Sequence, residues 1–160
     1  MKRLFFLVSI ALLSLQVSAQ QIKSYNADDV IKRVSNPDTL YIVNFWATWC
    51  VPCVQELSNF DILQERYAGK PVKVLMVSLD FKESYPYKLA EFLRKKRMTE
   101  EVVWFSETDA NVFIPKIEGS WQGSIPATLI VQSKQGYKKF IEGTITAEQI
   151  ASIADKLLAK

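Results

Sequence analysis

The most informative absence in this 160-residue chain is histidine, which does not occur at all. Without histidine the chain lacks the Cys-x-x-Cys-His pattern that attaches haem, and two cysteines alone are too few for a structural zinc site. The net charge is only +3, of which Lys2 and Arg3 supply two units, and the other charges are spread along the chain. Nucleic-acid binding therefore has no support, and we expect neither a metal nor an organic cofactor.

The two cysteines, Cys50 and Cys53, end an apolar run that starts at Val43. The run is β-branched and aromatic up to Trp46, as in a buried strand, whereas the residues after Pro52 have helical spacing. The pair is therefore predicted at a strand-to-helix junction, where unpaired N–H groups and the helix dipole favour a thiolate. We predict that Cys50 attacks a disulfide and that Cys53, one turn inward, resolves the mixed disulfide.

Two other interpretations of the cysteine pair remain open at this point. A purely structural disulfide would close a loop of only four residues and would contribute roughly 2 kcal/mol. A soft-metal site built from two thiolates is also conceivable, but no methionine or histidine stands beside the motif.

The first residues have the pattern of an export signal. Lys2 and Arg3 precede an apolar stretch over 4–15 and a small-residue cleavage site that ends at Ala19. We predict a signal peptide over 1–19 and one domain over 20–160, exported to the periplasm. A retained membrane anchor is the alternative, but the apolar stretch is shorter than the roughly 20 residues that a spanning helix needs.

The remaining pattern predicts one mixed α/β domain with helices on both faces of a central sheet. Strands are expected over 21–25, 40–46, 72–79, 102–105, 127–132 and 137–142, with 21–25 and 102–105 as short edge strands. Helices are expected over 27–34, 51–67, 86–96 and 109–117, and from the capping box Thr146–Gln149 to about residue 160.

Residues 44–53, together with Glu56 and the distant Ile125-Pro126-Ala127-Thr128, resemble the thioredoxin superfamily, and more narrowly the exported TlpA/ResA-like thiol-disulfide oxidoreductases. The resemblance implies a thioredoxin-like fold, with 102–117 as an insertion. It also implies that Pro126 is a cis proline facing the cysteines, with Ile125 presenting its backbone to an extended substrate.

The resemblance further implies roles for Glu56 and Trp49. TlpA/ResA-like proteins carry a glutamate at the position of Glu56, whereas thioredoxins proper have a buried aspartate where Asn44 stands. Glu56 is thus predicted to accept the Cys53 proton, the alternative being a solvent-facing glutamate in the first turn. Trp49 is predicted as a partly exposed platform, with packing alone as the alternative, while Phe45 and Trp46 belong to the core.

Trp121 stands in a loop ahead of Pro126, and either a place beside the site or plain packing fits it.

The function predicted from the resemblance is reduction of disulfides in exported proteins, among them apocytochrome c. Electrons would come from a membrane thiol transporter, and we expect a monomer. An oxidant of folding proteins is the enzymatic alternative, and a non-catalytic binding protein is the alternative from another class.

Overall fold

The computed structural model describes residues 22–159, so the predicted export signal and Gln21 lie outside the described residues. Within this range one sheet contains six strands, namely β1 Lys23–Tyr25, β2 Leu40–Trp46, β3 Val72–Ser78, β4 Glu101–Phe105, β5 Ala127–Gln132 and β6 Tyr137–Glu142. Five α-helices accompany it, namely α1 Ala27–Arg33, α2 Val51–Arg66, α3 Tyr87–Lys96, α4 Ala110–Ile117 and α5 Ala147–Leu158.

The strand order across the sheet is β1-β4-β3-β2-β5-β6. Strands β1, β4, β3 and β2 are parallel to their neighbours in this series, whereas β5 is antiparallel to both β2 and β6. The predicted mixed sheet is therefore confirmed. Strand β2 lies between β3 and β5, and all seven of its residues are buried.

Helices cover both faces of this sheet, as predicted. Because successive strand residues point to opposite faces, Ile42 and Trp46 of β2 pack in one layer with α2, α3 and α5. Val43 and Phe45 pack in the other layer with α1 and α4. Asn44 has the same orientation as Ile42 and Trp46, which places a polar side chain under α2.

The prediction that 102–105 forms an edge strand is wrong. Strand β4 lies between β1 and β3, and only β1 and β6 are edges of the sheet that the described residues form. Val102 and Trp104 pack into one apolar layer and Val103 and Phe105 into the other. A run of apolar residues with no polar alternation is typical of a strand covered on both faces.

The predicted helix starts are confirmed at two caps. Asn26 is the N-cap of α1, and its Oδ1 accepts a hydrogen bond from the Asp29 N–H at 2.9 Å. In the capping box of α5, Thr146 Oγ1 accepts from the Gln149 N–H at 3.3 Å, and Gln149 Oε1 accepts from the Thr146 N–H at 2.9 Å.

Candidate active site

The two cysteines lie at the junction of β2 and α2, as the apolar run predicts. They form a disulfide with a Cα–Cα distance of 5.2 Å, so the described structure is the oxidised form of the pair. Cys50 is the N-cap of α2, and its Sγ accepts a hydrogen bond from the Cys53 N–H at 3.3 Å. Cys50 retains 6% of its surface and Cys53 none, so Cys50 is the sulfur closer to solvent.

The loop before β5 brings Ile125 and Pro126 to the disulfide. The carbonyl oxygen of Ile125 lies 3.8 Å from Cys50 Sγ, and the Ile125–Pro126 peptide bond is cis. In the disulfide the sulfur carries no proton, so this approach is a van der Waals contact. In the reduced form a Cys50 thiol would be placed to donate a weak hydrogen bond to the same oxygen.

Glu56 is buried on the inner side of α2, with only 4% of its surface exposed, so the solvent-facing alternative is wrong. Its Oε1 accepts a hydrogen bond from Asn44 Nδ2 at 2.9 Å, and its Oε2 accepts from the Ile145 N–H at 3.0 Å. Burial raises the pKa of Glu56 above its ordinary value, although these two hydrogen bonds act in the opposite direction. Glu56 is therefore easier to protonate than an exposed glutamate.

Asn44 connects Glu56 to the neighbouring strand. Its Nδ2 also donates to Thr128 Oγ1 at 3.2 Å, and Asn44 and Thr128 are cross-strand partners of β2 and β5. Its Oδ1 is buried and has no hydrogen-bond partner within residues 22–159. The contacts of Asn44 with Glu56 and with Thr128 were missed from sequence, although two inward polar residues in apolar strands were a usable signal.

A shallow cleft leads from the surface to Glu56. It has a volume of about 220 Å³ and lies between the first turns of α2 and the loop before α5. Its lining residues are Pro52, Gln55, Glu56, Asn59, Thr144, Ile145 and Thr146. Glu56, although buried, therefore borders a cavity that opens to solvent.

Asp80 fixes the loop before Cys50, a role that sequence reasoning missed. Asp80 is buried at the end of β3, and both of its carboxylate oxygens accept from the Thr48 N–H at 3.2 Å. The Thr48 hydroxyl also donates to Asp80 Oδ1, and the Ser78 hydroxyl donates to Oδ2 at 2.7 Å. A polar residue at the C-terminal end of the strand beside β2 was the available signal.

The tryptophans near the site have different environments. Trp49 is 53% exposed, in agreement with its predicted partial exposure, whereas Trp46 is fully buried in the core. Trp121 is only 3% exposed, and its ring centroid lies 4.9 Å from that of Phe45. Its Nε1 donates to the Ser124 carbonyl at 2.9 Å. Trp121 is therefore a packing residue that supports the loop before Pro126.

Over residues 22–159, no group of three or more histidine, cysteine, aspartate or glutamate side chains is arranged to hold a metal ion. Across the same range, no helix has both the length and the apolar character needed to span a bilayer.

The sequence model of the AhpC/TSA family matches residues 12–136. Sporulation thiol-disulfide oxidoreductase A of Bacillus subtilis is 25% identical over 129 residues, which is 81% of this chain and 73% of the relative. Thiol-disulfide oxidoreductase ResA of Geobacillus thermodenitrificans is 28% identical over 108 residues, or 68% of this chain and 57% of the relative. The chain thus spans between about half and three quarters of the length of such relatives.

Solved structures support the fold. A thioredoxin-related protein from Neisseria meningitidis superimposes with a TM-score of 0.65 at 22% identity, over 79% of this chain and 90% of that one. The crystal structure of StoA from Bacillus subtilis gives a TM-score of 0.58 at 23% identity, over 74% and 84%. The thioredoxin-like fold predicted from the two motifs is confirmed.

Proposed function

This chain belongs to the AhpC/TSA family, and on that premise we propose that it is an exported thiol-disulfide oxidoreductase working through Cys50 and Cys53. The observation that carries the proposal is the Cys50–Cys53 disulfide at the N-terminus of α2, in contact with the Ile125 carbonyl. Relatives named thiol-disulfide oxidoreductases support it. A structural disulfide alone would have no need of a buried carboxyl group one helical turn beyond Cys53.

In the first step of the proposed reaction, the Cys50 thiolate attacks one sulfur of a substrate disulfide. The substrate S–S bond breaks, its second sulfur leaves as a thiolate that takes a proton from water, and Cys50 is held in a mixed disulfide. The Cys50 thiolate is stabilised by the unpaired N–H groups and the dipole of α2, and the Cys53 N–H already points at its sulfur.

In the second step Cys53 attacks the Cys50 sulfur and releases the substrate's first sulfur. The Cys50–Cys53 disulfide forms, two electrons pass to the substrate, and the substrate ends as a dithiol. Cys53 must lose its proton to attack. Glu56 lies one turn along the same helix, and its pKa is raised toward neutral pH. A raised pKa suits a carboxyl group that accepts a proton from Cys53 and releases it through the cleft.

Substrate would approach from the side on which Cys50 retains exposure. Ile125 stands beside the Cys50 sulfur with its backbone, where an extended segment of the substrate can pair with it. Pro126 follows Ile125 at the end of this loop. Trp49 would contact the bound substrate segment on the side opposite Ile125. Recognition through the backbone suits a range of exported proteins as substrates.

We further propose that the protein acts as a periplasmic reductant, with apocytochrome c among its substrates. The export signal pattern of 1–19 supports this localisation. In an oxidising compartment a reduced pair must be recharged, and a membrane thiol transporter is the proposed donor to the monomeric protein.

The direction of electron flow is tested by the reduction potential of the pair, measured by equilibration with glutathione or dithiothreitol. We expect a value toward the thioredoxin end, about −270 mV. A value near about −120 mV would identify a disulfide donor and overturn the proposed direction.

A further inference from the structure

Two aromatic rings lie exposed beside the disulfide, and the proposed chemistry uses only one of them. Trp49 directly precedes Cys50, and Phe81 directly follows the buried Asp80 at the end of β3. Phe81 is 65% exposed, and the two rings are stacked with their centroids 5.6 Å apart and their planes 16° from parallel. We call Trp49 and Phe81 the aromatic shelf.

The aromatic shelf is held in place by buried contacts on both of its chain segments. On the Trp49 side, the backbone of Thr48 is bound to the Asp80 carboxylate. On the Phe81 side, the Asp80 carbonyl accepts a hydrogen bond from Trp104 Nε1 at 2.7 Å. The Tyr85 ring stacks on Trp104, with centroids 4.3 Å apart.

Exposed rings that are fixed in advance lose little conformational freedom when a partner covers them. Scattered single apolar residues on a protein surface need no explanation. Two stacked rings beside a reactive sulfur are a different case, because adjoining exposed apolar side chains mark interaction sites.

We propose that Phe81 determines substrate specificity, with the aromatic shelf receiving an apolar side chain next to the reacting cysteine of an extended polypeptide. This inference rests on the proposed attack by Cys50. The occupant follows from the position of the shelf. Cys50 is in contact with the Ile125 carbonyl, and Trp49 is the residue before Cys50 and stacks on Phe81. A polypeptide segment whose cysteine reaches Cys50 therefore passes over Trp49. Beyond Phe81 come one cation and one anion, Lys82 and Glu83, so the shelf adds no net charge that would select a charged segment.

The test uses two short peptide disulfides, identical except that the cysteine is flanked by phenylalanine on both sides in one and by serine in the other. The rate constant for reduction of each peptide by the reduced protein is measured from the released thiol. We expect the phenylalanine peptide to react faster with the unmodified protein. Phe81→Ser should lower that preference by about two- to tenfold, the range for loss of an aromatic contact, while the serine peptide keeps its rate.

Two further variants, and two measurements on Phe81→Ser, separate selection of the substrate from structural support of the loop. Phe81→Tyr keeps the ring and should retain the preference. Ile62→Ser is the matched control, because it removes an exposed apolar side chain away from the shelf, on α2 and twelve residues beyond Cys50. It should leave the rates of both peptides unchanged. The reduction potential and the melting temperature of Phe81→Ser should match those of the unmodified protein.

The outcomes distinguish this inference from the proposed function. An equal loss of rate for both peptides in Phe81→Ser, or a preference that survives the substitution, would overturn the role of the shelf. If the unmodified protein reduced both peptides at the same rate, the role of the shelf would also be overturned, whereas the proposed function would be unaffected. Failure to reduce either peptide would overturn the proposed function, and the shelf with it.

Discussion

The two sides of the Cys50–Cys53 disulfide differ in a way that reverses the usual arrangement of a soluble protein. On the inner side, Glu56 lies one helical turn beyond the fully buried Cys53, and its buried carboxyl group is hydrogen-bonded to the buried amide of Asn44. On the outer side, next to Cys50, it exposes two aromatic rings, Trp49 and Phe81. Polar groups lie inside and apolar groups outside.

Each side carries a cost that folding alone does not explain. A buried carboxyl group loses hydration that its two hydrogen bonds replace only in part, as its raised pKa shows. Exposed rings leave apolar area in contact with water. In the proposed function this difference corresponds to a division of work, with proton transfer on the inner side and recognition of the substrate on the outer side.

Removing the inner sulfur should have the largest effect on this division. In Cys53→Ser we expect Cys50 still to attack, because the outer side is intact, but turnover should fall to the background rate since no thiol resolves the mixed disulfide. Mass spectrometry should detect the protein covalently joined to substrate. Cys50→Ser is the matched control and should give neither adduct nor turnover; an adduct on Cys53 in that variant would reverse the assigned order of attack.

Neutralising the inner carboxyl group should have the next largest effect. Glu56→Gln keeps the shape of the side chain but cannot accept a proton, so we expect release of substrate from the mixed disulfide to slow by about two orders of magnitude. The pH profile of that step should lose the inflection due to Glu56, whose pKa is raised by burial above the ordinary value of a glutamate. Stopped-flow rates measured from about pH 4 to pH 9, which includes the ordinary pKa of a glutamate, report both changes.

The control for that experiment is Glu65→Gln, which alters an exposed glutamate of the same helix. Its pH profile should match that of the unmodified protein. An unchanged profile in Glu56→Gln would mean that Glu56 has no part in the proton transfer.

The smallest expected effect concerns a buried carboxyl group away from the disulfide. Burial and the hydrogen bond with Asp61 raise the pKa of Glu100 to about 7. The folded protein therefore keeps a proton that the unfolded chain releases at lower pH, and the free energy of unfolding decreases as pH rises through this window. We expect Glu100 to contribute on the order of 1 to 2 kcal/mol to this decrease between pH 5 and pH 8.

Denaturant unfolding of Glu100→Gln at pH 5 and pH 8 measures this contribution. Between pH 5 and pH 8, the free energy of unfolding of the variant should decrease much less than that of the unmodified protein. Its disulfide exchange rates should remain unchanged. A decrease as large as that of the unmodified protein would contradict the assignment. Altered exchange rates in Glu100→Gln would show that even a buried carboxyl group away from the disulfide affects its chemistry. The contrast between the two sides of the disulfide would then not be specific to Glu56.

Local patterns predicted much of the fold and the centre of the site. The position of Cys50 and Cys53 at a strand-to-helix junction followed from one change of periodicity, and the start of α5 followed from the Thr146–Gln149 box. Such features were predictable because strand burial and helix capping depend on residues close together in the chain.

The surroundings of the disulfide were less predictable. The place of β4 inside the sheet, the bonds from Asn44 and Ile145 to Glu56, and the bond from Thr48 to Asp80 all join segments that lie far apart in sequence. The stacking of Trp49 on Phe81 is of the same kind. No local rule indicates which distant segment will supply the partner.

The sequence by itself therefore determined the position of the cysteine pair at a helix N-terminus, because strand and helix signals depend on residues that are neighbours in the chain. Only the tertiary structure decided that Glu56 is buried, that Trp121 packs inside and that Phe81 stands beside Trp49 in solvent. Burial depends on which elements pack against each other, and pKa and exposure follow from burial.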